Sequence, residues 1–422
     1  MSMKWRASII IFTFMLCAGL LLLWLFYKQG QKDTDDVIKI GVLHSLTGAM
    51  AVSEKMLIDS ATLAVEEINE SGGLLGKKLE LVVSDARSDW PTFAKEAEKL
   101  IQEDQVLVIF GGYTSVSRKM IKTFVEKFNT LLFYPTQYEG LEASPNIIYM
   151  GSTANQQIIP AVTWCLQNLG KRFFLVGSNY IYPHATNSII KTLLAAREGT
   201  VVGEEYISFG QKNVDKVIHK ILEAKPDVII NNIVGEDNSL FFKALRKAGI
   251  SSEKIPTMNL TVTETELAAL NIDEMTGDYG AQNYFQSLDT PANNKFVEKF
   301  KKKFGADRAI SSSMQNAYAA IYFWKNAVTK AQTLDTDAVR EQLRNAVLST
   351  PEGIISIDGP TLDTWKPLLI GKIFPNKQFG IVWNSVSTIA PLSYPPLMTK
   401  EHWDNLLERY YNEWGEKWWK DE

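Results

Sequence analysis

Cysteine is nearly absent, with two among 422 residues: Cys17 inside an apolar run and Cys165 far from it. This excludes a disulfide framework and any CxxC metal or redox spacing. Histidine is scarce as well, and His44, His184, His219 and His402 show no HxxxH spacing, so no zinc centre is outlined. Neither sign of charge is in surplus, since 44 Lys plus Arg against 48 Asp plus Glu leave a formal net charge of −4. A phosphate backbone would find no electrostatic footprint on the chain as a whole, and no nucleic-acid partner is expected. The motifs of nucleotide and ester chemistry are missing too. Gly72 to Lys78 reads GGLLGKK, without the spacing or the hydroxyl of a phosphate loop, and no GxSxG elbow occurs. No catalytic residue, metal or cofactor is expected, and therefore no enzyme.

What is present begins with a hydrophobic run. Lys4 and Arg6 precede Ser8 to Phe26, 19 residues without a charge. At a rise of ~1.5 Å per residue such a run crosses a hydrocarbon layer of ~30 Å. Positive charge before it places the amino terminus inside, so everything beyond the polar stretch Lys28 to Asp36 is expected outside the cytoplasm. Cleavage with lipidation at Cys17 and simple secretion after cleavage are the alternatives. The bulky Leu16 before that cysteine, and Leu20 to Leu25 after it, favour an uncleaved single-pass anchor.

From Val37 onward, short aliphatic runs alternate with amphipathic stretches. Ile38 to Leu43, Leu79 to Val83, Val106 to Phe110, Thr130 to Tyr134, Phe173 to Val176 and Val228 to Ile230 read as strands. Helical spacing covers Pro91 to Glu103, Val116 to Phe128, Gln157 to Leu169, Ala185 to Arg197 and Val214 to Ala224, and an earlier helix stops at Gly72-Gly73. Near-continuous apolar strands alternating with helices mean parallel sheets covered on both faces. The units are too many for one sheet, so the expected fold class is α/β with two doubly wound parallel-sheet lobes, the first run ending near Met150. In the last segment, Thr399 can cap a helix in which Trp403, Leu406, Leu407, Tyr410, Tyr411, Trp414 and Trp418 form one aromatic stripe. That helix is read either as a brace on its own lobe or as a docking helix for a partner. Residues 400–422 carry seven acids against four Lys or Arg, which disfavours an anionic membrane surface.

Ligands of open α/β sheets sit beyond the carboxyl ends of strands, here in a cleft between the lobes. Three strand ends stand out: Gly111-Gly112-Tyr113-Thr114-Ser115, Tyr134-Pro135-Thr136-Gln137-Tyr138-Glu139-Gly140, and Ser178-Asn179-Tyr180-Ile181-Tyr182-Pro183. They offer neutral hydroxyls, aromatic rings and a glycine pair, with no arginine among them. An organic anion would want a fixed positive charge, whereas an amide or urea needs a few donors for its carbonyl and acceptors for its N–H groups. A small, uncharged, polar ligand is the expectation. A tyrosine packing a lobe edge, or a serine capping a helix, accounts for any one of these residues taken singly.

Five segments also carry a family resemblance: His44 to Gly48, Ser88 to Ala94, Leu132 to Gly140, Ala154 to Pro160 and Asn283 to Ser287. Through them the chain resembles the substrate-binding proteins of urea ABC transporters and the short-chain amide-binding proteins, within the type I periplasmic-binding superfamily. The resemblance runs from about Ile38 to Pro396. It implies lobe one at 37–150 plus 286–355 and lobe two at 151–285 plus 356–398. Residues 1–36 then form a stub, anchor and linker, and 399–422 a carboxyl-terminal amphipathic helix. Crossovers fall near Gly151 to Asn155, near Tyr284 to Ser287 and between Thr350 and Thr361. It also implies ligand contacts at Tyr113, Thr114, Ser115, Tyr134, Thr136, Tyr180 and Tyr182, with Asn232 and Thr263 as further candidates from lobe two. Thr136 matches the amide binders, because urea binders usually carry an aliphatic residue there. The implied function is extracytoplasmic binding of urea or a short aliphatic amide for delivery to an ABC permease. The alternative is a receptor that reports its ligand to a membrane histidine kinase.

Overall fold

The structure is a computed structural model that describes residues 37–270 and 272–420. The expected anchor, Ser8 to Phe26, lies outside the described residues. Among the described residues, no helix is long and apolar enough to cross a membrane.

Lobe one is built on a five-stranded sheet in the order β2-β1-β3-β4-β5, formed by β1 (Val37–His44), β2 (Lys78–Asp85), β3 (Val108–Gly111), β4 (Leu131–Tyr134) and β5 (Ile147–Tyr149). All its pairings are parallel. β3, β4 and β5 are buried at every residue, as strands covered on both faces must be. Helices Ala51–Glu70, Trp90–Gln102, Ser115–Lys127 and Ser312–Ala331 cover the sheet. Ile40, Val42, Val108 and Phe110 pack with Ala320, Phe323 and Trp324 of the last of these on one side. Leu43, Ile109 and Leu132 pack with Phe93, Leu100 and Ile121 on the other.

Lobe two carries seven strands in the order β14-β13-β10-β9-β8-β6-β7. β6 (Arg172–Ser178), β7 (Thr200–Ile207), β8 (Val228–Asn232), β9 (Thr257–Asn259) and β10 (Tyr279–Gln282) run parallel. β13 (Leu369–Ile373) and β14 (Phe379–Asn384) close one edge antiparallel. A small hairpin of β11 (Val347–Thr350) and β12 (Gly353–Ser356) precedes them. The chain passes from one sheet to the other after β5, returns to lobe one after β10, and enters lobe two again between β12 and β13.

β5, β7 and β9 to β14 are not among the strands read from the sequence. β7 is half-exposed along most of its length and β9 has only three residues, so neither presents a buried run. The carboxyl-terminal helix spans Lys400–Glu413 and is shorter than its aromatic stripe. Gly415 and Glu416 both adopt positive φ (68° and 60°) and turn the chain out of the helix, so Trp418 lies beyond it. The helix packs on lobe two, where Tyr410 lies 3.1 Å from the Ser188 hydroxyl and Trp414 meets the His184 ring at 4.8 Å. The tail beyond it crosses to the mouth of the cleft. There Trp419 bridges to Tyr180 of lobe two and its ring lies 4.8 Å from that of Trp90 of lobe one. Lys119 of lobe one sits 4.3 Å over the Trp418 ring.

Candidate functional site

The cleft is closed around a small cavity lined by Tyr113, Ser115, Thr136 and Gln137 from lobe one and by Tyr180, Tyr182, Val234, Gly235 and Thr261 from lobe two, with Ser53 at its side. Two glycines position the first group. β3 approaches β1 so closely at Gly111 that a Cβ there would lie 2.2 Å from the Leu43 carbonyl oxygen. Gly112 then turns with a φ of +73° and donates its N–H to that same carbonyl at 3.0 Å. Tyr113, Thr114 and Ser115 are thereby delivered to the start of helix Ser115–Lys127.

Five of the nine candidates line the cavity: Tyr113, Ser115, Thr136, Tyr180 and Tyr182. The other four stand behind it or beside it. Thr114 caps the helix by accepting the Ser117 N–H at 3.1 Å, and takes the Trp90 indole N–H at 3.2 Å. Tyr134 donates its hydroxyl to the Tyr113 carbonyl at 2.6 Å and so braces the loop from below. Asn232 bonds to Asn187 at 3.2 Å at the end of β8, two residues before the lining Val234. Thr263 caps the short helix Glu264–Ala269 in a capping box with Glu266. Ser53, Gln137, Val234, Gly235 and Thr261 also line the cavity and are not among the candidates. Thr261 follows β9, which is too short to read as a strand, and Ser53 projects from the helix after β1 rather than from a strand end.

Lobe closure is visible in direct contacts. Gln137 donates to the Leu260 carbonyl at 3.1 Å, and the Tyr113 hydroxyl points to Glu266 at 3.5 Å. The Thr136 hydroxyl is buried without a hydrogen-bonding partner. The Ser53 and Tyr182 hydroxyls lean towards Tyr113 and Thr186 without closing a bond. Burial pushes the phenols of Tyr113, Tyr180 and Tyr182 up, so each keeps its proton. Among the described residues no cluster of His, Cys, Asp and Glu is arranged to hold a metal ion.

The expectation that no arginine serves these strand ends is corrected by the geometry. Arg118, one helical turn after Ser115, is fully buried and its Nη1 donates to the Ser115 Oγ at 3.1 Å. It also pairs with Glu139 at 3.1 Å and with Glu142 at 3.0 Å, and Lys119 reaches Glu142 at 3.0 Å. Burial opposes ionisation of Glu142, but the Arg118 and Lys119 charges overcome it and hold the carboxyl well below the usual range. The two cations are matched by two carboxylates, so the arginine adds no net charge to the cavity. Separation in sequence hid this cluster, because Glu139 and Glu142 come from the loop after β4.

Residues 38–400 match the family described as periplasmic binding protein domain, and the chain belongs to that family. Its lobes form the type I periplasmic-binding fold. The Leu/Ile/Val-binding protein BraC3 of Rhizobium johnstonii is 24% identical over 73% of this chain and 83% of its own length. Limonene hydroxylase of Geobacillus stearothermophilus is 35% identical over 132 residues, but these are 31% of this chain and 24% of that protein. Among solved structures, a solute binding protein of an ABC transporter from Rhodopseudomonas palustris BisB5, in complex with 3,4-dihydroxy benzoic acid, superposes with a TM-score of 0.76 at 20% identity, covering 85% of this chain and 98% of its own. A leucine binding protein, LivK, from Thermotoga maritima gives 0.71 at 20% identity, covering 82% and 98%.

Proposed function

We propose that this protein is the extracytoplasmic solute-binding component of an ABC importer, taking up urea or a short aliphatic amide. The observation that carries the ligand class is the cavity. It offers about 10 Å³, on the order of one water molecule, and it is walled by neutral hydroxyls and tyrosine rings. A leucine side chain or a benzoate ring would have to hold the lobes apart, whereas a solute the size of urea or acetamide demands the least opening. The Thr136 and Tyr182 hydroxyls are free to donate to a carbonyl, and Tyr180 closes from the far lobe. Ligand binding then shifts an open-closed equilibrium by its preference for the closed form, which a permease reads. The hydrophobic run Ser8 to Phe26 would tether the receptor beside that permease.

Titration calorimetry of the full chain with urea, acetamide, leucine and benzoate tests the reading. Saturable binding of urea or acetamide, with leucine and benzoate silent, is the expected outcome. A ceiling of ~1.5 kcal/mol per non-hydrogen atom puts the dissociation constant on the order of tens of micromolar. Tight binding of leucine or benzoate would replace the ligand class and leave the binding role standing.

A further inference from the structure

We propose that Glu139, which does not itself line the cavity, is a positioning residue that sets the ligand preference by fixing the direction of the Ser115 hydrogen bond. The site would then accept ligand N–H groups and reject carboxylates. The inference rests on the reading of the cavity as the binding site and specifies what that site selects.

A serine hydroxyl has one proton to give and two lone pairs to offer. The Ser115 proton goes to Glu139 Oε2 at 2.5 Å, and one lone pair takes the Arg118 N–H at 3.1 Å. Neither partner can reverse its role. A guanidinium has no acceptor, and Glu139, whose other oxygen takes an Arg118 N–H at 3.1 Å, offers Ser115 an acceptor. What Ser115 has left for the cavity is a lone pair. The N–H of an amide or of urea satisfies it. An acetate oxygen of the same shape would place lone pair against lone pair in a site closed to water. The cluster offers an anion no compensation, because Arg118 and Lys119 are already matched by Glu139 and Glu142. The carbonyl end of an amide meets the opposite kind of group, since the Thr136 hydroxyl is unpartnered and can turn to donate.

The experiment compares acetamide with acetate on the full chain, by calorimetry and, for weak binding, by NMR. Wild-type protein should prefer acetamide by at least about 100-fold. In Glu139→Gln the amide oxygen keeps Arg118 while its nitrogen donates to Ser115, which frees the serine proton to face the cavity. The acetamide-to-acetate ratio should then fall by at least about tenfold. In a Ser115→Ala background the same Glu139→Gln change should leave the ratio unmoved, because no hydroxyl remains to be redirected. A general loosening, or the loss of one negative charge, would move the ratio equally with and without Ser115, and that result overturns the proposal. So does a folded Glu139→Gln protein with the wild-type ratio. The wild-type measurement needs no variant to fold, and equal affinity for acetate and acetamide sinks the idea alone. Silence of wild type towards urea, acetamide and acetate alike would overturn the binding reading, and this inference with it.

Discussion

Arg118 with Glu139, Glu142 and Lys119, and Lys366 with Glu352, are both buried ion clusters, yet burial has opposite consequences in them. In the first, two cations meet two carboxylates within 3.1 Å, and Glu142 is held well below the usual carboxylate range. In the second, one lysine meets one carboxylate at 2.5 Å, both side chains fully buried. There burial prevails, pushing Glu352 up and Lys366 down. Two neutral residues, Asn283 and Asn316, complete that group, and Asn316 also donates to the Pro135 carbonyl at 2.8 Å, next to Thr136. Burial works against the charge in both clusters, and Glu142, with two cations beside it, is the carboxyl where opposite charge outweighs that cost. The two clusters also do different things. The first lies inside lobe one and governs what Ser115 presents, whereas the second ties the segments where the chain changes lobes.

Arg118→Met attacks the first cluster and should have the largest effect. It strands two carboxylates with Lys119 alone, and a loss of about 3–5 kcal/mol in denaturant unfolding is expected. Lys366→Met should cost less, about 1–3 kcal/mol, because Glu352 is already inclined to take up a proton. Its deficit should shrink as the pH falls and Glu352 neutralises. Equal losses at every pH would show that the clusters do not differ as described.

A third change sharpens the same contrast with a carboxyl that has no cation at all. Glu264 is fully buried, accepts the Gln286 N–H at 2.7 Å, and burial pushes it up to about 8 from 4.5. The folded state then holds a proton that the unfolded state releases above 4.5, so this contribution to stability is present at low pH and is lost as pH rises through about 8. Glu264→Gln should flatten that decline, and unfolding midpoints at several pH values between these limits would show it. A wild-type stability that rises across the window would contradict the assignment.

The smallest expected effect on stability comes from removing the tail that begins at Glu416, where the chain has already turned out of the helix. This tail contacts Tyr180 and Trp90 across the mouth of the cleft. Stopped-flow release of urea or acetamide should speed up several-fold, a change in off-rate typical of lost rim contacts. An unchanged rate would mean that the tail packs without helping to keep the lobes shut.

Much of this molecule is legible along the chain. Near-continuous apolar strands such as Ile38 to Leu43 and Val106 to Phe110 announce buried parallel sheets, because a strand covered on both faces has no polar side to show. The strand-end rule leads to Tyr113, Ser115, Thr136, Tyr180 and Tyr182, since loops at carboxyl ends of parallel strands converge wherever two lobes face each other. At those same strand ends Thr114 spends its hydroxyl on a helix cap and Tyr134 braces a loop from behind, while Thr263, a candidate through the family resemblance, caps another helix. Periodicity carries the aromatic stripe as far as Trp418, but two consecutive positive φ angles at Gly415 and Glu416 end the helix first.

Local pattern thus suffices for the α/β class, the two runs of strands and the chemical character of the strand ends, because each depends on residues near one another in the chain. Which polar atoms are consumed and which remain for a ligand depends on distant partners. Glu139 reaches Ser115 across 24 positions, Gln137 reaches Leu260 across 123, and the tail returns to Tyr180 from the end of the chain. Those pairings are set by how the sheets and crossovers pack, and the hydrogen-bonding sense of the cavity follows from them.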